Sequence, residues 1–124
     1  MLTGFLNVGV AMDPFLACEA IRLGRRVQLS YDGHDRLVEI HTVGRSREGR
    51  AMMNVWQVSG GSVSNAPVGW KMMHLDKVRN ATITDEQAEV PREKYTEGAS
   101  QFDAIQCEVA SGGTGHIRLQ TPSP

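Results

Sequence analysis

The segment Gly69–Val78, GWKMMHLDKV, brings Trp70, Lys71, His74, Asp76 and Lys77 close together in the chain, and Arg79 follows. A histidine near an aspartate could act as a general acid–base pair. Lysines beside a tryptophan could hold an anion while the flat ring covers it. Arg45, Arg47 and Arg50 surround the SREG turn and could touch phosphate oxygens, contacts that position a nucleic-acid backbone without reading its sequence. Bond-making chemistry finds no complete motif. His34, His41, His74 and His116 lack zinc-site spacing, and neither cysteine sits in a nucleophile motif. The run GGSVSNAPVG lacks the closing Lys-Ser/Thr of a phosphate-binding loop and reads as a flexible connection. Reversible binding is therefore the expectation: no catalytic residue, metal ligand or cofactor is assigned, and the chain is not expected to be an enzyme. A small hydrolase would need His74 and Asp76 to converge, which strand geometry does not guarantee.

A chain of 124 residues, 40% hydrophobic and 22% charged, fits one folded domain. Its formal net charge of -1 argues against a uniformly basic nucleic-acid glove but leaves room for a local positive face. Arginines dominate from Arg22 to Arg50, whereas Asp85, Glu86, Glu89, Glu93, Glu97, Asp103 and Glu108 dominate later. Either the middle attracts an anionic partner, or the two sign-biased regions meet on folding. Cys18 and Cys107 lie too far apart in sequence for spacing to bring them into bonding range, so two buried free thiols are expected. The opening MLTGFLNVGVAM is apolar, lacks the basic start of a secretory signal and is too short to cross a bilayer. The cytoplasm is the expected location, without a membrane partner, and Met12 is an alternative start.

The elements that must position these groups are short. Asp13 can cap a helix, Pro14 suits its first turn and Gly24 can end it, with Phe15, Ala17, Cys18, Ala20 and Ile21 offered for packing. Val27, Leu29 and Tyr31 alternate as in a half-buried strand, Asp32-Gly33 signals a turn, and residues 37–43 return. AMMNVWQV, residues 70–75 and residues 79–84 read as further strands, with a tight or single helical turn at LDKV. Short strands joined by glycine-rich turns favour a small β-barrel. Within it Trp56 is expected in the core, Tyr31 in the core with its hydroxyl tied at the rim, and one methionine of each Met-Met pair inside. The acidic stretch 85–100 reads as an irregular surface connection, FDAIQCEVA as a strand or a short helix, and the end as frayed.

Taken in order, AIRLGRR, VQLSYDGHDRLVEIHTVG, AMMNVWQV and GWKMMHLDKVRNATI resemble a divergent WYL-like domain over residues 20–84. Trp56 stands in the naming strand without the adjacent Tyr-Leu pair. In MMHLDKV, Met73 matches an aromatic position, His74 and Lys77 the two basic positions, and Leu75 and Asp76 the central pair. The resemblance implies a mainly β fold: a small Sm-like or SH3-like barrel over residues 13–84 behind an extension at residues 1–12. A short N-terminal helix and an irregular C-terminal extension at residues 85–124 complete that organisation. It also implies a ligand-sensing or regulatory role in transcription, with an oligonucleotide or a small anionic ligand as partner. Arg47, Trp70, His74, Asp76, Lys77 and Arg79 are the ligand-binding candidates. A neutral His74 cannot reproduce an arginine fork. The residues before the first strand leave room for one short helix, so as a regulator the chain is expected either to have lost a DNA-reading domain or to receive one from a regulatory partner protein. The alternative is a protein-interaction or self-assembly module, a homo-oligomer formed without nucleic acid.

Overall fold

A computed structural model describes residues 11–111 and the backbone of residues 117–119. The elements are α1 (Pro14–Leu23), β1 (Arg25–Tyr31), β2 (His34–Arg45), β3 (Ala51–Gly60) and β4 (Gly69–His74). A 3-10 turn (Leu75–Lys77), β5 (Arg79–Gln87), β6 (Ala104–Val109) and β7 (Ile117–Leu119) follow. The fold is mainly β, an antiparallel sheet with one short helix. Its helix is delimited by the expected signals: Asp13 accepts from the Phe15 amide, Pro14 opens the first turn, and Gly24 ends it in the left-handed region at φ 67°. Ala17, Cys18, Ala20 and Ile21 face inward. Phe15 does not join them and is 74% exposed.

The strands run in the order β4-β3-β2-β1-β5, with β6 beside β2 and β7 beside β6. Asp32 and Gly33, at φ 49° and 77°, close the β1–β2 hairpin with two left-handed residues, the geometry that matches the strand twist. β2 pairs with β1 as far as Val38. The ladder to β3 then slips between Ile40 and Thr42, and from Thr42 onward the edge vacated by β1 is taken by β6. Gly44 is required at that crossing, because a Cβ there would overlap the Ala104 carbonyl and crowd the Phe102 ring. Among the described residues β4 and β5 share no ladder. The sheet is nonetheless strongly curled: the Tyr31 hydroxyl on β1 accepts from the His74 amide on β4 at 3.0 Å, although β2 and β3 lie between those strands.

The inner face carries the core. Val27, Leu29, Val38, Ile40, Val43, Met53, Val55, Met73, Leu75 and Val78 pack against the helix and Met12. Tyr31 is buried with its hydroxyl at the rim, as its place in the pattern suggests. The two Met-Met pairs divide between faces by strand alternation. Met53 and Met73 fill the core, while Met52 packs with Phe102, Ala99 and Met72 in a second cluster on the outer face.

Four expectations are corrected. Trp56 is half-buried on the outer face and takes no part in the core, because Val55 beside it holds the inward position. The chain after residue 84 is more regular than expected: β5 continues to Gln87, and 117–119 supply β7 in place of a fully frayed end, while of the two readings left for FDAIQCEVA the strand is the one formed, as β6. Segment 88–103 is irregular but lies across the outer face, bonded to it at several points. Finally, Cys18 and Cys107 are joined in a disulfide, not left as free thiols. Packing of α1 against β6 brings them together, a long-range contact with no trace in local spacing. The remainder of the extension at residues 1–10 and the ends at 112–116 and 120–124 lie outside the described residues.

The bond closes a sequence separation of 89 residues. Loop entropy at that length predicts that Cys18→Ser with Cys107→Ser lowers unfolding free energy by about 2–5 kcal/mol, read from denaturant midpoints. Two reactive thiols in the denatured, unreduced protein would refute the bond.

Candidate functional site

The structure divides the predicted site residues among three places. His74, Asp76, Lys77 and Arg79 cluster at the turn between β4 and β5, where most are already engaged. Asp76 pairs with Arg50 at 3.0 Å, and Lys77 pairs with Asp32 at 3.4 Å while lying over the Tyr31 ring. Arg79 donates to the carbonyls of Asp76 and Val78. The His74 ring leaves Nδ1 without a partner, so no His74–Asp76 acid–base pair is assembled. Arg47 is exposed in the β2–β3 turn. Trp70 sits at the far end of β4, four residues from His74 and so roughly 13 Å along the strand.

Trp70 belongs to a second constellation on the outer face. Its indole N–H donates to the Glu93 carbonyl at 3.0 Å, and its ring meets Trp56 and His41 edge-on and stacks on Tyr95. Glu39, fully buried, is the anchor. Its carboxylate accepts from Arg26, from the Arg92 guanidinium and from the Glu89 amide. Burial alone would raise the Glu39 pKa, but the hydrogen bonds from Arg92, the Glu89 amide and Arg26 outweigh it and hold the carboxyl below its ordinary value. Arg26 also reaches Glu86 and Glu89, so the basic and acidic regions of the sequence do meet. His41 is fixed in one tautomer: Nε2 accepts from the Arg92 amide, and Nδ1 therefore carries the hydrogen it donates to the Glu39 carbonyl. These bonds strap segment 88–103 onto the sheet. Trp70 is thereby a structural ring beside a shallow cleft of about 350 Å³ that includes Asn54, Lys94 and Gln101.

A separate place, which holds none of those candidates, is the polar end of the inner face. Arg36, Gln57 and Lys71 continue the inward rows of Val38, Val55 and Met73, but beyond the apolar core. A cleft of about 180 Å³ opens there between Tyr31 and Asp32 of the β1–β2 turn, Arg36, Ser62 to Ser64, and residues 71–73 of β4. Arg36 is 4% exposed, and its guanidinium donates twice to the Tyr31 carbonyl and once to Gln57 Oε1. It has no carboxylate partner among the described residues, and two of its five N–H groups are left over. Lys71 likewise faces no carboxylate; its ammonium donates to Ser62 Oγ, Ser64 Oγ and the Ala66 carbonyl. Ser62 and Ser64 are bonded to each other at 2.9 Å, so one of their hydroxyl hydrogens stays free to point into the cleft. The one acid on the lining, Asp32, is offset by Lys77.

Arg36 is therefore the residue that local pattern leaves obscure, while Lys71 stands out beside Trp70 without entering the candidate set. Arg36 is one arginine in a run of seven, and Lys71 lies between an aromatic and a methionine pair. The available signal was strand parity, which places both on the inward face. Among the described residues no group of three or more His, Cys, Asp or Glu could hold a metal ion, and no helix is long and apolar enough to cross a membrane. No protein-family model, curated protein or solved structure matches the chain.

The strap carries a pH signature. Burial lowers the His41 pKa from 6.5 to about 4, so between those values the unfolded chain takes up a proton that the folded chain refuses. Stability is fully present above pH 6.5 and declines as pH falls toward 4, by on the order of 3 kcal/mol. Glu39, with its lowered pKa, adds a further loss below its ordinary range. Denaturant midpoints measured from pH 7 to 4.5 should fall for the native chain and flatten above pH 5 in His41→Gln. An unchanged slope in that variant would remove His41 from the account.

Proposed function

We propose that this domain binds a small anion in the Arg36–Lys71 cleft and serves as a ligand-sensing module. The observation that carries the reading is Arg36 itself: a buried guanidinium with two spare donors and, among the described residues, no acid paired with it. Burying an unpaired charge is costly, and an anion seated beside it would offset that cost with charge-assisted hydrogen bonds. Lys71 adds positive potential, the Ser62–Ser64 pair adds a donor, and Lys77 acts indirectly by neutralising Asp32. In this reading the LDK turn borders the ligand site and does not form it. The resemblance to WYL-like domains supports a regulatory setting in which ligand occupancy is passed to a partner protein. The oligonucleotide form has weaker support, since Arg50 and Lys77 are ion-paired with acids and Arg79 is bonded to backbone carbonyls. The disulfide favours an oxidising compartment over the cytoplasmic expectation. Self-association is the second reading, favoured by Phe15 and Leu23 exposed on α1.

Calorimetric titrations with phosphate, sulfate and acetate test the anion reading. Saturable binding to at least one of them, weakened about tenfold or more in Arg36→Met and Lys71→Gln, is expected. Absence of binding to all three sinks it. Salt-sensitive binding of short single-stranded DNA that falls in Arg47→Ala and Lys77→Ala, without response to Arg36→Met, would favour the oligonucleotide reading instead.

A further inference from the structure

The cleft touches Lys71, Met72 and Met73, three consecutive residues of one strand. Neighbouring side chains on a strand point to opposite faces, so a single cleft meets all three only along the strand's edge. β4 is such an edge: it pairs with β3 on one side, and among the described residues it has no strand on the other. The His74 amide identifies the direction of the free groups, because it turns away from β3 to reach the Tyr31 hydroxyl. Alternation then turns the Met72 N–H and carbonyl to the same open side, beside the cleft. The cleft thus combines a cationic end, built from Arg36 and Lys71, with a backbone donor and acceptor next to it that have no partner among the described residues. Val63, with the edge of Met73, supplies apolar wall.

A free inorganic anion would use the cations and leave the strand edge idle. Resting on the anion reading above, we infer that the ligand is the carboxylate terminus of an extended peptide. Its terminal carboxylate takes the two spare Arg36 N–H groups and the free serine hydroxyl, with Lys71 supplying the field. The N–H and C=O of the residue before it pair with the Met72 carbonyl and N–H as one rung of an added antiparallel strand. Capture of a chain terminus beside a sheet edge uses both main-chain pairing and a charge that only a terminus carries. A cleft of about 180 Å³ limits the seated portion to the last residue or two, so the final side chain packs against Val63.

The experiment compares N-acetyl-Ala-Ala as free acid, the same dipeptide as C-terminal amide, acetate and phosphate. Calorimetry gives affinities, and amide NMR follows Met72. The free acid should bind about tenfold tighter than either acetate or the amide, and should shift the Met72 amide and slow its exchange. Lys71→Gln should weaken the acid while leaving the amide unchanged, and Arg36→Lys should do the same if Arg36→Met fails to fold. Equal affinity for acid and amide, or acid binding no tighter than acetate with Met72 unmoved, overturns the peptide inference. Phosphate or acetate binding that depends on Lys71 would in that case leave the anion reading standing. Failure of every probe removes both.

Discussion

A strand offers one partner at a time along each edge, and β2 meets that limit by changing partners. It is twelve residues long, continuous with β3 on one side, and shared on the other between β1 and β6. The ladder slip between Ile40 and Thr42 lies between the two pairings, and His41 occupies it. Everything else follows from this exchange. The β1 half carries the curled sheet and its core, and the β6 half brings Cys107 under α1. Between them segment 88–103 can lie across the outer face and reach Glu39 and His41. Local twist increases at such irregularities, which suits a sheet whose first and fourth strands come into hydrogen-bonding range.

Two buried charges on β2 show how differently the faces are finished. Glu39 points outward and is covered by its own chain, with two arginines and an amide satisfying its oxygens. Arg36, three residues earlier, points inward and is answered, among the described residues, only by neutral oxygens. Removing a partner from Glu39 would strand a buried carboxylate, so that network is closed. The Arg36 end is open, and an incompletely answered buried cation is a reason to expect a ligand. The same asymmetry separates the aromatic residues: Trp56, Trp70 and Tyr95 belong to the closed side, whereas Tyr31 borders the open one.

Helix caps, the Asp32-Gly33 hairpin and the strand runs were legible because their causes are local. Asp13, Pro14 and Gly24 act within a turn, and period-two alternation needs only neighbours. The disulfide, the strap and β7 depend on contacts between distant segments, which no window of residues contains. Trp56 was misplaced because a large apolar ring predicts burial but not which face provides it. The site was partly legible: the GWKMMHLDKV segment does border the cleft, through Lys71, Met72 and Met73. The stronger ligand candidate, Arg36, was hidden because a buried arginine without an acid looks in sequence like any surface arginine.

The disulfide has a topological consequence. Cys18 and Cys107 enclose β1 through β5 and most of β6 in one covalent ring. The longest exposed excursion on that ring is the stretch from Val63 to Val68, well removed from either cysteine. A protease cutting there would open the ring without releasing a fragment. The two pieces would stay tethered, with the β3–β4 ladder and the core still drawing them together. Such a nicked molecule would remain one covalent species until it met a reductant, and from then on only the ladder and the core would hold its two pieces together.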